Sequence, residues 1–200
     1  MTIELLAALA ASAAGGLRIA LPLLLIGLLQ GASLWSQVPL LSALSPQVVL
    51  GVLVSWSLFE LFASKRLLGL RILQVVQLAF SPVAGAVMGM AIATAMEIAP
   101  WMLMLLGIIG GLLALVLQLV QVGWFFRLRG LPLWAIFAQD ALCIFLVLFA
   151  FDAPTHGGLI ALMLLWLAIR SSKEWYLSYH RQAGGPRSRR PSRSPAPEED

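Results

Sequence analysis

Three ionisable side chains stand where an apolar chain has least reason to place them: Arg18, Glu60 and Asp140. Each lies in or at the end of a long run of Leu, Ile, Val, Ala and Phe. Asp140 follows a second polar residue, Gln139. A charged side chain at the centre of a lipid bilayer costs about 2.5–3.5 kcal/mol on insertion scales, and one that persists there is by default functional or paired. Chemically, a buried guanidinium can hold an anionic group, and a carboxyl in apolar surroundings suits proton or cation coupling. Two arrangements are open. In one, Arg18 and Asp140 face a polar cavity with Glu60 at its cytoplasmic mouth. In the other, Arg18 and Asp140 form a buried pair that fixes helix packing, or Arg18 snorkels to the interface.

The elements that position these groups follow from composition. The 200 residues are 60% hydrophobic and 11% charged, with a mean hydropathy of +0.94. A soluble domain carries about 25% charged residues, and a small one cannot hide this much apolar surface from water. The chain therefore reads as an all-α polytopic membrane bundle. Runs of about 17–25 apolar residues are spans. The first is 5–29, interrupted by Gly15-Gly16, Arg18 and Pro22. It is either one kinked helix or a short surface helix followed by a span from near Leu17. An uncharged loop covers 30–47, and the second span is 48–62, with Glu60 at its end. From 65 to 77 Arg71, Gln74 and Gln77 share a helix face. This is either a surface amphipathic helix or the polar start of the third span, which runs from about Phe80 to Ile98. The fourth is 101–126, the fifth opens at Pro132 and runs to Phe151, a loop spans 152–156, and the sixth begins at Gly157. Measured along the fifth span, Asp140 lies roughly 12–14 Å deep, near mid-membrane.

Lys65, Arg66 and Arg71 follow the second span, Arg127 and Arg129 the fourth, and Arg170, Lys173, Arg181, Arg187, Arg189, Arg190 and Arg193 the sixth. The alternate connections carry no Lys or Arg. Basic loops stay in the cytoplasm, so six spans imply both termini on that side. Glu4 stands where a signal peptide carries a basic residue, and the first helix is expected to be retained. The transmembrane domain is 1–180. The stretch 181–200, rich in Arg, Ser and Pro, is expected to be a disordered tail.

Small residues recur at helical spacing in Gly85-x-x-x-Gly89 and Gly107-x-x-x-Gly111. Such faces let helices approach closely in lipid, either within the bundle or between copies of the chain in a homo-oligomer. The lone Cys143 forms no internal disulfide. No Cys/His cluster, phosphate loop or nucleophile–base set is present, so no enzyme, metal or cofactor is expected. The basic tail is short and carries no aromatic residue, which argues against nucleic acid.

Certain motifs have a familiar order. Ala13-Ala14-Gly15-Gly16-Leu17-Arg18 with Pro22, Glu60 with Lys65, Gln77 with Ser81-Pro82-Val83-Ala84-Gly85-Ala86, and Gln139-Asp140-Ala141 with Pro154 together resemble a bacterial membrane family, domain of unknown function 4126. The resemblance runs from about Glu4 to Ile169. Gln139 stands where it leads one to expect Glu, and Ser64 and Arg66 where it leads one to expect Asp and an apolar residue. It implies a plasma (inner) membrane protein, or one of an internal bacterial membrane such as a thylakoid, and singles out Arg18, Glu60 and Asp140.

Each half of the chain holds one polar interruption, Arg18 with Pro22 and Gln139 with Asp140, a pattern compatible with two inverted three-helix halves. The expected function is a small transporter or permease for an ion, small solute or lipid headgroup, with Arg18, Glu60, Gln139 and Asp140 as its polar site. The alternative is a non-transporting scaffold or assembly factor held by the small-residue faces.

Overall fold

The computed structural model describes residues 2–30, 38, 45–63, 67–127 and 133–183. Their regular structure is helical: α1 (Thr2–Leu17), α2 (Ala20–Gln30), α3 (Pro46–Ala63), α4 (Leu67–Ala95), α5 (Pro100–Arg127), α6 (Leu133–Asp152) and α7 (Pro154–Ala183). Four of them, α4 to α7, are long and apolar enough to cross a membrane. The chain is a membrane-type helix bundle, with its large side chains turned outward. Leu105, Ile108, Leu112, Phe137, Met163 and Trp166 are exposed, while alanines and glycines fill the centre.

At that centre is α1. From Ala7 to Leu17 nearly every residue is buried, and the helix packs against α4, α5, α6 and α7. Its smallness makes this possible. A Cβ on Gly16 would stand 2.6 Å from the Ala114 backbone, and one on Gly158 would stand 2.9 Å from that of Leu6. The most extensive interface joins α4 and α5. There a Cβ on Gly85 would meet the Gly110 carbonyl at 2.5 Å, and one on Gly111 the Pro82 carbonyl at 2.7 Å. Gly89 approaches the Leu106 carbonyl in the same way, and Gly107 lies against Met90. The small-residue faces are thus used up inside the bundle and are not presented to a second copy. The turn between the two helices closes α4 with hydrogen bonds from Ile98 N–H to the Ala93 carbonyl and from Glu97 N–H to the Thr94 carbonyl. That pairing is a Schellman cap, and it holds Glu97 at φ 54°, a position that favours glycine.

Several expectations change. The first apolar run is not one span. It is two short helices, because Pro22 has no N–H to offer the Arg18 carbonyl four residues back and its ring would clash with it. The polar stretch 65–77 is no separate surface helix. From Leu67 on it belongs to α4, and Gln74 and Gln77 turn inward. The loop expected over 152–156 shrinks to Ala153, and His156 sits in the first turn of α7. The α7 helix continues past Arg181 to Ala183, and residues 184–200 lie outside the described residues. Gln139 and Asp140 interrupt nothing, since α6 is continuous, so the two halves do not share a break. Finally, Leu6 and Ala10 of α1 pack at Gly158 and Gly157, beside the α6–α7 turn. The Thr2 end of α1 is therefore at the opposite end of the bundle from the Arg170–Ala183 end of α7. Six full crossings would have brought these two described ends together.

Candidate functional site

The end of α1 is where the polar side chains converge. A helix stopped by a proline leaves carbonyls without intrahelical partners, and inside a bundle these must be met by side chains. Neighbouring α6 supplies one such donor, to the Leu17 carbonyl, and a weaker one to a carbonyl that the backbone already satisfies. Gln139 Nε2 donates to the Leu17 carbonyl at 2.6 Å and lies 3.2 Å from Gln121 Oε1 of α5. Cys143 Sγ donates to the Ala14 carbonyl at 3.6 Å, which also accepts from Arg18 N–H at 3.0 Å. Gln139 and Cys143 are four residues apart on α6, and the carbonyls they meet, Leu17 and Ala14, are three apart on α1, so each pair spans about one turn.

Arg18 is the first residue past the end of α1. Its positive charge sits at the negative end of that helix dipole, and two carboxylates converge on it. Nε donates to Asp140 Oδ1 at 2.7 Å, a short charge-assisted bond. Nη1 is 3.6 Å from Glu60 Oε2, close enough for electrostatic pairing but too long for a hydrogen bond. The other Glu60 oxygen accepts from Trp56 Nε1 and Gln77 Nε2, both at 2.9 Å. The side chains of Arg18 and Glu60 are 12% and 6% exposed, and that of Asp140 is 31% exposed. Among the described residues one guanidinium therefore meets two carboxylates. Lys65 and Arg66, which were expected within reach of Glu60, lie outside the described residues.

All four polar-site residues expected from the sequence, Arg18, Glu60, Gln139 and Asp140, come together here from three separate segments. The expected geometry was incomplete in one respect. Glu60 is not at a mouth open to water but is buried against α4. The Gln77 amide and the Trp56 indole cover it. Arg18 reaches Glu60, and only three residues of α3 lie beyond it, so α2 packs on α3 along the side of Val49 and Leu53. Sequence reasoning missed Trp56, Gln121 and Ser12, the last of which donates to the Gly85 carbonyl at 3.0 Å. Trp56 carried a usable signal, since it precedes Glu60 by one helical turn. Gln121 and Ser12 carried none beyond being polar in apolar runs.

Below the break, toward the Arg127 end of α5, a cavity of about 280 Å³ opens between α5, α6 and α7. Leu117, Val120, Ala138 and Leu164 give it apolar walls, and Gln121 and Gln139 are its polar contacts next to Leu17. Among the described residues no three His, Cys, Asp or Glu side chains are grouped as a metal site.

The chain matches, over residues 5–174, the family described as a domain of unknown function, DUF4126. It belongs to that family. The matched region contains most of α1, all of α2 to α6, the break and most of α7, so the charged cluster lies wholly within the family's domain. No curated protein and no solved structure matches the chain.

Proposed function

We propose that this DUF4126 protein is a small membrane permease whose solute path passes the break between α1 and α2. The observation that carries the reading is the break itself. A helix that stops inside the bundle, with one cation and two carboxylates gathered at its end, is costly in lipid. Interrupted helices at such depth suit sites where backbone ends and side chains meet a polar solute. The cavity beside Gln139 supplies room on one side of that point.

In this reading the basic ends of α5 and α7 face the cytoplasm, and the Thr2 end faces the other side. The paired helices α1 and α2 then enter and leave from that other side as a re-entrant element. A lipid bilayer is the medium, no cofactor or catalytic step is assigned, and the expected small solute remains the partner. The scaffold alternative drew on exposed small-residue faces, and Gly85, Gly89, Gly107 and Gly111 lie within the bundle instead.

The test is accessibility. In a Cys143→Ala background, Asp140→Cys and, separately, Gln139→Cys are probed in folded protein with a membrane-impermeant thiol reagent applied from each side. Labelling from either side is the expected result, because a permease must admit water to this depth. A folded protein that resists the reagent from both sides would point to a dry bundle and the scaffold.

A further inference from the structure

The cavity below the break differs in character from the charged cluster above it. It measures about 280 Å³ and lies among α5, α6 and α7, with Leu17 of α1 in its lining. Leu17, Leu117 and Ala168 are buried and form its floor, whereas Trp124 and Leu167 are exposed and stand at its rim. Leu117 and Trp124 are two helical turns apart, so the cavity runs about 10 Å along α5. At the rim the Trp124 indole donates to the Ser171 hydroxyl at 2.9 Å and joins α5 to α7.

Three properties of the lining define what would fit. The first is charge. None of the described residues that line the cavity is ionisable, and Asp140, although next to Gln139 in the chain, is not among them. An ion there would give up water without gaining a counter-charge. The second is the apolar wall. Leu, Val, Ala and Trp side chains make up nearly all of it, and they favour an apolar body. An aliphatic cavity of about 150 Å³ stays dry and takes up benzene, so this one has room for a larger body. The third is a pair of amides. Gln139 Nε2 donates to the Leu17 carbonyl at 2.6 Å and to Gln121 Oε1 at 3.2 Å, which uses both of its hydrogens. Gln121 Nε2 and Gln139 Oε1 make no hydrogen bond among the described residues. Two adjoining lining residues therefore hold one amide donor and one acceptor in reserve. A purely apolar chain would leave both unmet. A hydroxyl both donates and accepts.

We propose that this cavity binds an uncharged lipophilic molecule carrying one hydroxyl, with the hydroxyl on the Gln121–Gln139 pair and the apolar body along α5 and α7 toward Trp124. The inference deepens the permease reading by naming the class of solute and rests on it for a role in transport, but binding is measurable without any transport.

The experiment uses full-length protein in lipid nanodiscs and equilibrium dialysis, with uptake by empty nanodiscs subtracted. The probes share one ring system at pH 7: 2-naphthol, naphthalene and ionised 2-naphthoate. Saturable binding of 2-naphthol is the expected result. Naphthalene should bind about two- to tenfold more weakly, the worth of one neutral hydrogen bond, and 2-naphthoate should show no saturable binding. Gln121→Leu is expected to bring 2-naphthol down to the affinity of naphthalene and to leave naphthalene unchanged. Ala138→Trp, at an exposed lining position, should fill the space and abolish binding of both. The wild-type series decides the matter even if a variant does not fold. No saturable 2-naphthol binding, equal affinity for naphthalene or 2-naphthoate, or binding that survives Ala138→Trp in folded protein overturns the proposal. Saturable 2-naphthol binding in protein whose residues 139 and 140 resist the thiol reagent would leave this site standing and remove the permease. Labelling there without 2-naphthol binding would keep the permease and overturn the site.

Discussion

Two regions of this bundle are built on opposite principles. Where α1 meets α4 and α5, the contact is made by what is absent: glycines and alanines bring backbones together with almost no polar chemistry beyond the Ser12 hydroxyl on the Gly85 carbonyl. Where α1 ends against α3 and α6, the contact is made by charges and amides that reach across gaps of a side chain's length. The first region has no room to change and holds α1 in place. The second has groups with more than one partner, as at Glu60 and Gln139, and space beside it. Lipid offers little hydrophobic drive for helix association, so close packing provides the rigid frame and the polar cluster is set within it.

The contrast can be broken first at its charged side. Removing Arg18 leaves two carboxylates facing each other without a cation. Arg18→Gln is expected to destabilise the protein by about 3–5 kcal/mol, read as loss of folded protein or a large fall in thermal midpoint. Adding Glu60→Gln and Asp140→Asn to the same chain should recover most of the loss. A triple variant no more stable than the single one would show that the charges do not act on one another. Next comes the close-packed side. Gly85→Ala puts a methyl 2.5 Å from the Gly110 carbonyl and should cost about 1–3 kcal/mol through overpacking. Gly51→Ala on α3, where nothing lies within 4 Å, should instead gain about 0.8–1.0 kcal/mol of helix propensity. Equal effects at the two glycines would mean that the frame is not tightly packed. The border between the regions is sharpened by Gln139→Leu, which strips the Leu17 carbonyl of its donor and is expected to cost about 1–3 kcal/mol. The same variant in Cys143→Ala should lose more than either change alone if both side chains cap one helix end, a point for a double-mutant cycle. Smallest is the turn outside both regions. Glu97→Gly relieves a left-handed residue at φ 54° and should stabilise by about 1 kcal/mol, visible as a modest rise in midpoint with the polar site untouched.

Legibility followed the range of the interaction. Arg18, Glu60, Gln139 and Asp140 stood out because a polar residue in a long apolar run is improbable without a use, and that improbability needs no knowledge of neighbours. The same argument could not tell which of them touch. Arg18 and Asp140 are 122 positions apart and meet only because α1 and α6 run antiparallel at the bundle centre. Glu60 looked like an end-of-helix residue within reach of Lys65 or Arg66. Its burial depends on Gln77, seventeen positions on, lying on the face of α4 that turns toward it. The spacing of Gln74 and Gln77 put them on one face, but did not show that this face points into the protein.

The sequence by itself determined the class of the chain, its family, the asymmetry of its basic residues, the presence of a helix breaker at Pro22 and the inventory of buried charges. These are properties of composition, local sterics and solvent preference, and they act before any fold exists. Only the tertiary structure decided that the breaker makes a short central helix instead of a kinked span, that the Thr2 end of α1 lies away from the described end of α7, and that the glycine faces serve the interior. Each of those depends on which helices can approach within backbone contact, and that is settled by packing among segments distant along the chain.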